Sequence, residues 1–118
     1  MKTLEIKGTK YTPSVFFNTD KGILMITGRS YPETPEGVFS PIEDALKEVA
    51  VPELSVTVEL DYINTSSTKA LLELLKRAKE MFELSVVWVN EEDDEDVEEL
   101  GKHFEEILEC HFKFRIFV

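Results

Sequence analysis

Leu60-Asp-Tyr-Ile-Asn-Thr-Ser-Ser-Thr-Lys-Ala-Leu-Leu-Glu-Leu-Leu75 is the stretch in which this chain passes from strand to helix. Upstream, Ser55-Val-Thr-Val-Glu-Leu60 alternates as a strand does. Downstream, Leu71, Leu74, Leu75, Ala78 and Phe82 return at helical spacing, which predicts a helix from about Thr65 to Phe82. Between them stand Asn64, Thr65, Ser66 and Ser67. A helix that starts here has unpartnered backbone N–H groups in its first turn. Asn, Thr and Ser side chains accept those hydrogen bonds, but one residue suffices for a cap. The surplus hydroxyls sit at the positive end of the helix, a place that suits an anion or a phosphoryl group.

Working outward, the order of elements reads β-β-β-α-β-α-β-α-β. Leu4–Ile6 is a short strand. Ser14–Phe17 and Gly22–Thr27 are β-prone runs joined by Asn18-Thr-Asp-Lys, which predicts an antiparallel hairpin. The stretch from Gly28 to Gly37 reads as a loop punctuated by glycine and proline. Ser40-Pro-Ile-Glu43 supplies an N-cap, a first-turn proline and a capping-box Glu, with Thr34-Pro35 as an alternative, earlier start. Ile42, Ala45, Leu46 and Val49 form the stripe of that first helix. Leu84–Val89 is a strand apolar on both sides, hence interior to the sheet. Val97, Leu100, Phe104, Ile107 and Leu108 mark a third helix, and Cys110–Val118 alternates as a final strand. Strands alternating with helices imply an α/β domain with a mixed sheet, three helices and right-handed crossovers. Trp88, Leu74 and Phe104 are expected in its core.

Composition narrows the function classes. The chain has 118 residues, the length of one domain, here spanning 1–118. A net charge of −11 argues against nucleic acid or an anionic membrane as partner, because both are bound through basic contacts. The single cysteine, Cys110, excludes an internal disulfide. No apolar run approaches the roughly 20 residues that span a bilayer, and the first residues show no signal-peptide core. A cytoplasmic location is expected.

Each candidate site has a plain structural reading beside a chemical one. Asn64–Ser67 is either a cap with an exposed turn or a phosphoacceptor. In the second reading Thr65 carries the phosphate, and Lys69, one turn on, offsets part of its charge. Asp61 opposes it. The acidic run Glu91–Asp96 reads as a solvated helix start whose charge suits the dipole; it lacks the spacing of a calcium loop. A small acidic metal-binding protein or enzyme using that run with His103 and His111 is the alternative from another class. His111 and Cys110 are adjacent in a strand and point to opposite faces. No phosphate-binding glycine motif or nucleophile elbow is present, and no cofactor is expected. An unmodified assembly subunit is a third reading.

Ser30-Tyr-Pro-Glu33, Tyr62-Ile-Asn-Thr-Ser-Ser-Thr-Lys69 and Trp88 with Asp93–Asp96 and Glu99-Leu-Gly101 together resemble the SiaC family of bacterial regulatory phosphoproteins over nearly the whole chain. The resemblance implies a STAS-like fold akin to anti-sigma-factor antagonists, and no catalysis by the chain itself. It also implies a partner kinase that phosphorylates the threonine of the Asn-Thr-Ser-Ser block, here Thr65, and a metal-dependent phosphatase that reverses it. The unmodified form would activate a diguanylate cyclase in biofilm control. By position, Asp61, Tyr62, Asn64, Ser66, Ser67, Lys69 and the loop residues Tyr31, Pro32 and Glu33 would surround the phosphosite and meet partners.

Overall fold

The computed structural model describes residues 3–31 and 36–117. Six strands form one sheet in the order β1-β2-β3-β4-β5-β6, the order of the chain itself. They are β1 (Thr3–Ile6), β2 (Ser14–Asn18), β3 (Ile23–Ser30), β4 (Glu53–Ile63), β5 (Glu83–Glu91) and β6 (Phe112–Phe117). β1, β2 and β3 are antiparallel neighbours, and β3 through β6 run parallel. Helices α1 (Glu36–Leu46), α2 (Thr65–Met81) and α3 (Glu95–Leu108) make the three parallel crossovers. All three crossovers step the same way across the sheet, so right-handed connections put every helix on one face. The predicted element order is therefore the observed one.

The core lies between that face and the helices. Phe17, Leu24, Val56, Val86 and Phe112 follow one another across β2 to β6 in register, and all are buried. Leu71, Leu74, Leu75 and Ala78 of α2 close over them. Trp88 is 1% exposed, and its indole Nε1 donates to the Val97 carbonyl at 2.9 Å. Phe104 meets the Trp88 ring edge-on with centroids 5.5 Å apart. Gly101 lies against the same indole: a Cβ there would stand 2.6 Å from Trp88 Cδ1. Only a residue without a side chain lets α3 approach so closely.

Four expectations need correction. The first helix starts at Glu36, so Ser40 is no N-cap and Pro41 lies inside the helix. The extra turn buries Val38 and Phe39, and that apolar surface outweighs the local capping signal. Thr34 and Pro35, the alternative start, lie outside the described residues. Gly28 does not end the strand; β3 continues through it to Ser30. β5 is interior, as expected, yet its outer face, with Val87 and Val89, is only half-buried because no helix covers it. The final strand begins at Phe112, since the chain leaves α3 through Glu109 in the left-handed region at φ 51°. Among the described residues no helix is long and apolar enough to cross a membrane.

Candidate functional site

The passage from β4 to α2 is built by Asn64. Its backbone is extended, at φ −82° and ψ 173°, and its side-chain oxygen accepts from the Ser67 N–H at 2.9 Å. Its own carbonyl accepts from the Thr68 N–H at 2.8 Å, the first turn of the helix. Thr68 Oγ1 donates to the same carbonyl at 2.8 Å. One residue thus does the capping, as the sequence allows.

The remaining members of the cluster separate by burial. Ser67 is fully buried, and its hydroxyl accepts from Ser30 Oγ at 2.6 Å. Ser66 is half-buried. Thr65 is exposed, and it is the first residue of α2. A group attached to its hydroxyl would meet solvent on one side and the positive end of the helix on the other. Lys69 is also exposed, one turn further on.

The far side of the site comes from β3. Where β3 pairs with β4, Gly28 stands opposite Leu60 but Arg29 stands opposite Tyr62, so Asp61 is an extra residue on β4. Gly28, opposite this bulge in β4, holds φ at +109°, a conformation open to glycine. Simple alternation would place Leu60 and Tyr62 on the same face. The bulge instead leaves Leu60 2% exposed and turns Tyr62 outward to 42%. The Tyr62 ring stacks on Tyr31 with centroids 4.4 Å apart and planes 20° apart. Tyr11 meets Tyr31 edge-on at 5.6 Å. Asn64 Nδ2 donates to the Tyr31 carbonyl at 2.6 Å, and the Tyr31 N–H donates to the Tyr11 carbonyl at 2.9 Å.

The structure thus brings Tyr31, Tyr62, Asn64, Thr65, Ser66 and Ser67 to the carboxyl ends of β3 and β4. Asp61 ends 3.9 Å from Arg29 Nε, so a cation stands near the carboxylate that opposes a phosphate. Pro32 and Glu33 lie outside the described residues. Sequence reasoning missed Tyr11 and Arg29, and gave Ser30, quoted within the resemblance, no role at the site. The signal that points to them is Gly28, an isolated glycine in a β-prone run, which marks a bulge as readily as a loop.

The other candidates are scattered. Asp94 caps α3, accepting from the Val97 N–H at 3.2 Å, and Glu95, Asp96 and Glu98 fill the first turn. His103 is exposed on α3, and His111 is exposed ahead of β6, 4.0 Å from Glu105 Oε2. Among the described residues no three His, Cys, Asp or Glu side chains converge to hold a metal ion.

The described residues thus form an α/β domain that presents an exposed threonine at a helix start, at the carboxyl ends of β3 and β4. Comparison with known proteins gives its family. The signature of the SiaC family regulatory phosphoproteins matches residues 6–117, and the chain belongs to that family. It is 32% identical over 123 residues to an uncharacterised protein of Pseudomonas aeruginosa (strain UCBPP-PA14), covering 98% of this chain and 96% of that one. Among solved structures it resembles SiaC of Pseudomonas aeruginosa crystallised with the diguanylate cyclase SiaD, which SiaC activates. There the TM-score is 0.84 at 29% identity, covering 97% of this chain and 99% of the other. Apo-SiaC from the same organism gives a TM-score of 0.76 at 32% identity over the whole of both chains.

Proposed function

We propose that this chain is a cytoplasmic, non-enzymatic partner switch that acts as one domain, and that Thr65 is its phosphoacceptor. A partner kinase delivers the γ-phosphorus of a nucleoside triphosphate to Thr65 Oγ1. The bond to the nucleoside diphosphate breaks, and the hydroxyl proton passes to the kinase. A metal-dependent phosphatase returns the hydroxyl by adding water, releasing inorganic phosphate. The effector of the unmodified form is a diguanylate cyclase, the class of protein that the Pseudomonas aeruginosa SiaC activates.

The observation that carries this reading is the position of Thr65: exposed, and the first residue of α2. Phosphate adds about −1.5 to −2 charges and three strong acceptor oxygens. The helix dipole and Lys69 accommodate that charge within the chain. A partner that must desolvate the surface does not, unless it supplies cations. Modification therefore changes which protein binds while the fold persists.

The test is the affinity of wild type, Thr65→Ala, Thr65→Asp and the phosphorylated protein for the diguanylate cyclase of the same host. Thr65→Ala should resist the kinase and keep binding the cyclase. Thr65→Asp and the phosphorylated form should bind more weakly. Equal affinities across all four would remove Thr65 from the mechanism.

A further inference from the structure

Three exposed tyrosines lie beside the helix start, and they are held more firmly than exposure alone requires. Tyr11, Tyr31 and Tyr62 are 58%, 38% and 42% exposed, yet they form one continuous ladder of stacked and edge-on rings. Lys10 Nζ stands 5.9 Å from the Tyr11 ring centroid. Arg29, opposite Tyr62 in the strand register, pairs with Asp61 across solvent. Fixed aromatic rings flanked by cations are the composition of protein-binding hot spots, because they offer large apolar area at little entropic cost.

The middle of the ladder is tied to the main chain on both sides. Tyr31 donates its N–H to Tyr11 and accepts from Asn64 Nδ2 at its carbonyl. The same Asn64 amide accepts, at Oδ1, from Ser67 N–H in the first turn that begins with Thr65. One rigid planar group thus spans the phosphoacceptor's helix start and the ladder. On the basis of the phosphoswitch reading above, we propose that the Tyr11–Tyr31–Tyr62 ladder is the surface the diguanylate cyclase effector reads, and that Asn64 is the positioning residue that couples it to Thr65. The fitting partner segment lays an apolar side chain on the rings and offers a carboxylate to Lys10 and Arg29.

The coupling follows from competition for one donor. Phosphate oxygens on Thr65 seek the N–H groups of the first turn, and these include the Ser67 N–H that Asn64 holds. The asparagine amide is planar, so displacing Oδ1 swings Nδ2 with it. The Tyr31 carbonyl then loses its donor and the ladder shifts.

Asn64→Asp separates the two roles. Aspartate caps a helix as well as asparagine does, but as a carboxylate it has no N–H for the Tyr31 carbonyl. Asn64→Ser, a second capping residue that is too short to reproduce the amide, guards against an artefact of the added charge. Each chain is prepared with threonine or genetically incorporated phosphothreonine at position 65, and the tyrosine ring and Tyr31 amide resonances are recorded by NMR. The expected result is a clear displacement of these resonances on phosphorylation of wild type. In both Asn64 variants the resonances should already be displaced without phosphate, with little further change upon its addition. No displacement in wild type, or equal displacement in all three chains, would overturn the coupling. Tyr11→Ala, remote from the cap, should lower affinity for the host cyclase at least tenfold at unchanged melting temperature; unchanged affinity would overturn the ladder as the surface. Loss of Thr65 dependence in the binding series would instead count against the switch itself.

Discussion

Ser30 and Ser67, 37 residues apart in sequence, share a 2.6 Å hydroxyl–hydroxyl hydrogen bond with no solvent exposure on either side chain. Ser30 is the last residue of β3 and Ser67 lies in the first turn of α2. The bond therefore fastens the helix that carries Thr65 to the strand end that leads into Tyr31. Removing one hydroxyl leaves its partner buried without that bond. Ser67→Ala and Ser30→Ala should each cost about 1–3 kcal/mol, and the double variant should cost clearly less than their sum. Urea unfolding of the four proteins measures it; strict additivity would show that the pair is not a unit.

Thr65 itself should matter little to folding. It is exposed and its side chain fills no core position, so Thr65→Ala should change stability by no more than about 0.5 kcal/mol. Thermal melts beside the binding series check this. A large loss of stability would mean that a change in affinity reports unfolding rather than switching.

Gly101 should be intolerant of even one methyl group. Alanine gains about 1 kcal/mol of helix propensity over glycine. Its Cβ, however, would sit 2.6 Å from the ring of a fully buried tryptophan held by a hydrogen bond and by Phe104. Overpacking of this kind costs about 1–3 kcal/mol, so Gly101→Ala should be destabilising overall. Chemical denaturation with tryptophan fluorescence reports both the loss and the displaced ring.

The acidic run divides into a cap and its exposed neighbours. Asp94→Ala should cost about 1 kcal/mol or more through loss of the bond to the Val97 N–H, whereas Asp94→Asn, which keeps the cap, should lose only the charge–dipole interaction, about 0.3–1 kcal/mol. Asp93→Asn, with no part in that bond, should cost no more than the exposed dipole interaction, about 0.3–1 kcal/mol. Helicity and melting temperature of the three variants decide it. A greater loss for Asp93→Asn than for Asp94→Ala would reverse the assignment.

How much of this was legible in the sequence depends on the range over which each signal acts. Helical spacing of Leu71, Leu74, Leu75 and Ala78, alternation in Val56, Val58 and Leu60, and the polar block at Asn64–Ser67 are local patterns. The chain alone therefore determined the order of nine elements and the helix start at Thr65. It also determined that the start needed one cap and offered several candidates. Local signals failed at Ser40-Pro41, where burial of Val38 and Phe39 extended the helix through the proline.

What the tertiary structure alone decided is which of those polar residues remains available and what stands next to it. Ser67 is consumed because β3 delivers Ser30 to it. Asn64 is consumed by the cap and by Tyr31, and Thr65 is left facing solvent. Tyr62 points outward because Asp61 bulges out of the pairing of β4 with β3, opposite Gly28, and shifts the register by one residue. Alternation within β4 carries no trace of that shift. Side-chain pattern is fixed by neighbours in sequence, but register and hydrogen-bond partners are fixed by neighbours in space, and these exist only once the sheet has formed.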